Sequence, residues 1–262
     1  MYKKTLAIVF ALALFAGLNI NSAQAAGGAA HPEAQAWTTN GLFGHFDRKQ
    51  LKRGWQVYSE VCASCHSIRL IFYRNLEEIG FSPDEVKKIA AEAEVPAGPN
   101  EDGETHADGE PIMRPAKPFD KIVQPFPNDL AARAANAGAL PPDLSLMTKA
   151  RVDGQNYVHG LLTGYKDAPS GIKISEGMSY NPYFSGSQIA MGAPLSDEGV
   201  EYADGTKATV EQMSKDVTAF LIWTAEPELE ERKRLGLKVM LFLIVFTAML
   251  YAVKRQVWAK LH

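Results

Sequence analysis

Cys62-Ala63-Ser64-Cys65-His66 is the stretch around which the chain is organised. Two thiols three positions apart, with an imidazole directly after the second, form the attachment sequence of a c-type haem. The spacing suits the chemistry. On a helical turn both sulfurs reach the two vinyl groups of one porphyrin, and the adjacent imidazole comes up beneath the iron. Other uses of these residues fit less well. A structural zinc site needs four ligands, and there is no second Cys or Cys/His pair to supply them. A thioredoxin-like Cys-x-x-Cys calls for a cytosolic βαβ setting, which the preceding residues do not resemble. With both thiols given to the haem, no disulfide is possible, even in a compartment that would permit one.

Upstream of the motif, Leu51, Trp55, Tyr58 and Cys62 recur at helical spacing behind Asp47, a candidate N-cap, so a helix is expected to deliver the cysteines at its C-terminal end. Downstream, Ser82-Pro83-Asp84-Glu85 opens a short helix. Residues 92–127, rich in Pro, Gly and acid, read as a long surface insertion. Residues 128–136 and 156–162 read as helices, and 139–144, Ala-Leu-Pro-Pro-Asp-Leu, as a stiff extended segment that covers an apolar ligand edge. Residues 164–194 are loop-like, punctuated by Gly and Pro. Thr209 and Gln212 then form a capping box before a stripe of Met213, Val217, Phe220 and Leu221, which Pro227 interrupts. The fold class is therefore mainly α with long irregular connections and no internal repeat.

The two ends carry targeting signals. Lys3 and Lys4, an apolar run over residues 6–18 and Ala23-Gln24-Ala25 compose a cleavable signal peptide, residues 1–25, leaving an exported body over 26–231. Residues 235–253 form an apolar run broken only by Lys238, and at about 1.5 Å per residue it is long enough to span a bilayer. Basic residues bracket it on both sides, which places a transmembrane anchor at 232–254 and a short cytoplasmic tail at 255–262. The body carries 30 acidic against 18 basic residues, a formal charge of −12 although the whole chain is only −3. Such a field steers a basic soluble partner, and the stretch from Asp84 to Glu110, nine acidic residues against Lys87 and Lys88, reads as a docking surface or as a solvated loop.

The second axial ligand of the iron decides between electron transfer and ligand chemistry, and a Met thioether favours the former. Met213 belongs to a helical stripe, Met113 to the acidic insertion and Met147 to an apolar run that reads as packing. Met178 and Met191 lie on loops able to fold over a haem face, with Met191 favoured by its Gly and Pro neighbours. His106 and His159 are the imidazole alternatives.

Over nearly the whole mature sequence the chain resembles the cytochrome c1 family. The resemblance is carried by Arg53-Gly-Trp-Gln-Val-Tyr-Ser-Glu-Val-Cys62, Ala134-Ala-Asn-Ala-Gly-Ala-Leu-Pro-Pro-Asp-Leu-Ser145, Leu161-Leu-Thr-Gly-Tyr165, Asn181-Pro-Tyr-Phe184 and Ala225-Glu-Pro-Glu228 followed by Arg232-Lys-Arg. It implies a class I cytochrome c-like domain holding one covalent haem c through Cys62 and Cys65, with His66 and Met191 as iron ligands. It also implies that Arg151 pairs with a haem propionate and that Tyr157 lies nearby. The function that follows is that of the redox subunit of a quinol:cytochrome c oxidoreductase, the bc1 complex, with no catalytic residue of its own. It would take one electron from the Rieske iron–sulfur protein beside cytochrome b and pass it to a soluble basic c-type cytochrome, in a dimeric complex of a bacterial inner membrane with the haem domain in the periplasm. Nucleic acid has no place in this reading. Rival readings are an anchored subunit of a terminal oxidase or nitric oxide reductase, and an anchored haem peroxidase or sensor. The family's bacterial members include some with an extra disulfide near the Met-bearing region, for which this chain has no cysteine.

Overall fold

The computed structural model describes residues 29–259, so the signal-peptide reading and the last residues of the tail lie outside it. Helix α1, Arg48–Glu60, starts where Asp47 accepts hydrogen bonds from the amides of Lys49 at 2.9 Å and Gln50 at 3.3 Å. One face, carrying Leu51, Trp55, Val57 and Tyr58, is buried, and the helix runs into a 3₁₀ turn at Cys62–Ser64. The expected hand-over from helix to haem motif is what the chain does.

Short helices α2 (Pro83–Ala91) and α3 (Asp129–Ala135) follow, capped by Ser82 and Asn128, and then α4 (Gly154–Thr163). Helix α5 (Val210–Ala225), capped by Thr209, packs across α1 and against α4. The α1/α5 crossing is close. A Cβ placed on Gly54 would fall on the Asp216 carbonyl and lie 2.6 Å from Phe220 Cβ. Around it Trp55, Tyr58, Phe220 and Trp223 form a cluster of rings with centroids 5.6–5.9 Å apart. Such packing exceeds what area alone contributes, by about 0.5–1.5 kcal/mol per pair. At the same crossing the fully buried Asp216 meets Arg53, whose Nε donates at 2.8 Å while its other arm reaches Asp204 at 2.9 Å.

The insertion at 92–127 departs from the loop expected of it. It folds into nested ribbons, β1 (Glu94–Pro96) against β4 (Met113–Pro115) and β2 (His106–Ala107) against β3 (Glu110–Pro111). A bidentate Arg114–Asp120 pair at 2.7 and 2.8 Å and the half-buried Val95, packed on the core, hold the base of the ribbon. Likewise 164–194 contains a hairpin, β5 (Ser179–Tyr180) with β6 (Gln188–Ile189). Pairs of two or three residues are too short to show alternation in the sequence.

Helix α6, Leu229–Trp258, follows the break at Pro227. Its 30 residues contain a window of mean hydropathy 2.2 with none of it buried, long and apolar enough to cross a membrane. The helix begins before residue 232 and continues past 254, because its first turn belongs to the domain: Leu229 is buried and Glu230 pairs with Arg48 at 2.6 Å.

Candidate haem-binding site

A cavity of about 630 Å³ opens at the C-terminal end of α1. That size falls within the roughly 300–1,000 Å³ of cofactor sites, and its walls are mostly apolar. Cys62, Cys65 and His66 line one part, and Leu140 to Pro142 another. Leu161 on α4, Leu221 on α5 and Met191, just after β6, complete it.

The imidazole is held in one tautomer. His66 Nδ1 lies 2.8 Å from the carbonyl oxygen of Pro142, an acceptor only, so Nδ1 carries the proton and the Nε2 lone pair is free to bind a metal. Burial lowers the His66 pKa, against the opposing pull of the Pro142 carbonyl and Asp143, which keeps the ring neutral at pH 7. The Tyr58 hydroxyl donates to the His66 carbonyl at 2.9 Å, fixing the backbone from the core side.

The Pro141-Pro142-Asp143 strap is itself fastened. Asp143 accepts from the Ser67 hydroxyl and the Arg69 amide, both at 2.8 Å, and from the Ser145 amide at 3.0 Å. Burial works to raise the Asp143 pKa, but these donors outweigh it and the carboxyl lies below its usual range. Burial, with Cys65 adding to it, pushes the Cys62 thiol up to about 12. A thiol held protonated in this way is not a thiolate ligand for a metal. Among the described residues no three His, Cys, Asp or Glu side chains group to hold a metal ion.

These residues fit a covalently bound haem: two thiols and a neutral imidazole at one end of an apolar slot, and a thioether from the hairpin side. At the rim is Arg151, a cation that pairs with no carboxylate among the described residues and stands 6.0 Å over the Tyr157 ring. Residues 37–261 match the Cytochrome C1 family. The chain belongs to the cytochrome c1 family. It is 47% identical over 253 residues to "Cytochrome c1" of Rhodospirillum rubrum, an alignment covering 90% of this chain and 91% of that protein. It is 54% identical over 202 residues to "Cytochrome c1 2, heme protein, mitochondrial" of Arabidopsis thaliana, covering 77% of this chain. The chain spans 64% of the Arabidopsis protein's own length. "Cytochrome b/c1" of Bradyrhizobium diazoefficiens is 46% identical over 279 residues, with 98% of this chain and 40% of that protein covered. Proteins of the cytochrome c1 family carry covalently bound haem c.

Of the sequence-derived alternatives for the second ligand, the cavity takes in Met191 and leaves out Met178, Met113 and Met213. Met213 is fully buried in α5, as its stripe implied. Met147 is different from its reading as packing alone: it packs on the core and also lines the cavity, from the turn that follows the strap. His106 is exposed in the β2/β3 ribbon. His159 is a core residue, its Nδ1 2.9 Å from the Ser214 hydroxyl between α4 and α5.

Sequence reasoning missed what steadies Met191. The Tyr165 hydroxyl donates to the Met191 carbonyl at 3.1 Å, and β5/β6 fixes the residues just before it. A tyrosine bonding to a distant carbonyl leaves no spacing signal, nor does Pro142, which acts through its backbone.

Proposed function

We propose that this chain is the electron-transfer subunit of a bacterial quinol:cytochrome c oxidoreductase, accepting one electron from the Rieske iron–sulfur protein and delivering it to a soluble basic c-type cytochrome. The observation that carries the reading is one cavity, in a cytochrome c1 family chain, that gathers Cys62, Cys65, His66 and Met191.

In this reading Cys62 and Cys65 form the thioether links and His66 Nε2 and Met191 Sδ bind the iron. Haem c bound there supplies a reversible one-electron couple. The protein does the rest. The Pro142 carbonyl keeps the imidazole oriented, the Leu and Pro walls exclude water, the Tyr165 bond holds the Met191 segment and Arg151 neutralises a propionate. Helix α6 anchors the subunit beside cytochrome b in the inner membrane, in a dimeric complex, and the relative named as a b/c1 protein supports that pairing. Export of residues 26–231 by the signal peptide puts the haem domain in the periplasm and leaves the C-terminal tail in the cytoplasm. The −12 body favours a basic acceptor. An anchored oxidase subunit, peroxidase or sensor would share the haem motif and the apolar helix, but not a family match over residues 37–261.

The test is the visible spectrum of the oxidised protein. A low-spin ferric haem with the weak far-red band of sulfur ligation is expected, lost in Met191→Leu and kept in Met147→Leu and Met178→Leu. High-spin iron that takes carbon monoxide readily, or purification without a b-type cytochrome and an iron–sulfur protein, would refute the reading.

A further inference from the structure

Helix α6 meets the domain along a short seam. Lys233 Nζ donates to the carbonyl oxygens of Thr39 at 2.5 Å and Gly41 at 2.7 Å, and Glu230 accepts from the Phe46 amide at 2.7 Å. Between these anchors the chain makes a tight turn. The Asn40 amide donates to Trp37, the His45 amide to Thr38, and Gly41 takes a φ of +73°. A Cβ on Gly44 would fall on the Thr39 carbonyl, so the turn has no room to be rebuilt. Trp37 and Phe46 at its two ends are core residues. A turn closed this tightly fixes where its side chains go, and Leu42 and Phe43 stand out at 61% and 79% exposure.

The seam says what covers them. The carbonyls of the turn are within one lysine side chain of α6, and two residues beyond Lys233 begins the run of exposed apolar residues from Leu235 onward. Arg232, Lys233, Arg234 and Lys238 place cations at that level, where lipid phosphates lie. We propose that the 39–44 turn is a second membrane contact, with Leu42 and Phe43 seated in the headgroup–acyl boundary beside the start of α6. The proposal rests on α6 being the spanning helix. Held at two points, the haem domain keeps one orientation to the bilayer instead of swivelling about a single rod.

Because Cys62 and Cys65 are taken up by the haem, an introduced cysteine is the one free thiol of this chain to label with a nitroxide, and the signal of the complex labelled without it is subtracted as background. Leu42→Cys and Phe43→Cys are compared, in the whole complex in vesicles of phosphatidylcholine and phosphatidylglycerol, with Ala248→Cys in the apolar run and Val152→Cys, which is 91% exposed. The ratio of oxygen to nickel-chelate collision rates at 42 and 43 is expected several-fold above that at 152 and below that at 248. A ratio at 43 equal to that at 152, with 248 deep, overturns the proposal and leaves the anchor standing. Shielding of 43 from both reagents overturns it in favour of a protein cover. A water-exposed 248 removes the spanning helix and this proposal with it.

Discussion

Replacing Tyr165 by Phe deletes one hydroxyl, and with it the 3.1 Å hydrogen bond to the Met191 carbonyl. The backbone pairing of Ser179 with Ile189 and Tyr180 with Gln188 is untouched, so the hairpin persists and only the segment after it loosens. A neutral hydrogen bond of this kind contributes about 1 kcal/mol net, and the half-buried Met191 carbonyl can still be hydrated, so the loss stays near that figure. One kcal/mol corresponds to roughly a fivefold change in an equilibrium constant. The fraction of molecules with Met191 displaced should rise by that factor, and an external ligand that competes for the site should bind about fivefold more tightly. The assay is titration of the ferric protein with imidazole, followed by loss of the far-red band. Tyr180→Phe is the control, since among the described residues the Tyr180 hydroxyl makes no hydrogen bond. An unchanged imidazole affinity in Tyr165→Phe, or an equal rise in Tyr180→Phe, would refute the assignment of Tyr165 as the support of Met191.

Gly54→Ala should destabilise the domain although Ala favours a helix by roughly 1 kcal/mol, because the new methyl meets the Asp216 carbonyl and Phe220 Cβ. Overpacking against backbone belongs at the upper end of about 1–3 kcal/mol, read as a drop in the urea midpoint. Arg53→Leu leaves the fully buried Asp216 without its ion partner and should lose about 3–5 kcal/mol in the same assay, whereas Asp204→Asn removes only the half-exposed arm and should lose less than about 1 kcal/mol. Asp204 also gives a pH signature. Hydrogen bonds from Thr206, then Arg53, hold its pKa at about 2 against an ordinary 3.8. Its contribution is therefore complete above pH 3.8 and drains as pH falls toward 2, so wild type and Asp204→Asn should converge over that window in acid titrations of the urea midpoint. Electron transfer to a basic cytochrome should slow as salt rises, given the −12 body, and a rate indifferent to ionic strength would remove the steering argument.

The parts of the fold visible in the sequence are those written in side chains at local spacing. Asp47, Ser82, Asn128 and Thr209 all cap the helices they precede, and the apolar stripe of α1 ends at the cysteines as its period implied. The ribbons at 94–115 were hidden because Pro96, Pro111 and Pro115 occupy strand positions that usually argue against a strand, and because each pairing spans at most three residues. At the site, Cys62, Cys65 and His66 could be read from spacing; the Gly and Pro neighbours of Met191 leaned toward it over Met178 and the family resemblance implied it, and the cavity takes in Met191 and leaves Met178 out. Pro142, Tyr58 and Tyr165 act in hydrogen bonds to main-chain carbonyls at separations of 76, 8 and 26 residues, which follow no period, and Met147 shows that an apolar neighbourhood does not separate core packing from a cavity wall.

Helix α1 is tied by Arg48 to the first turn of α6 and leads at its other end to Cys62. Its 13 residues make a strut of about 20 Å, a ruler standing between the bilayer anchor and the porphyrin. Inserting one residue would rotate Cys62 and Cys65 by about 100° and shift them by about 1.5 Å relative to Arg48, so both the reach and the facing of the thiols depend on the length of this helix. The separation between the foot of α6 and the haem-binding cysteines is therefore written into the residue count of α1.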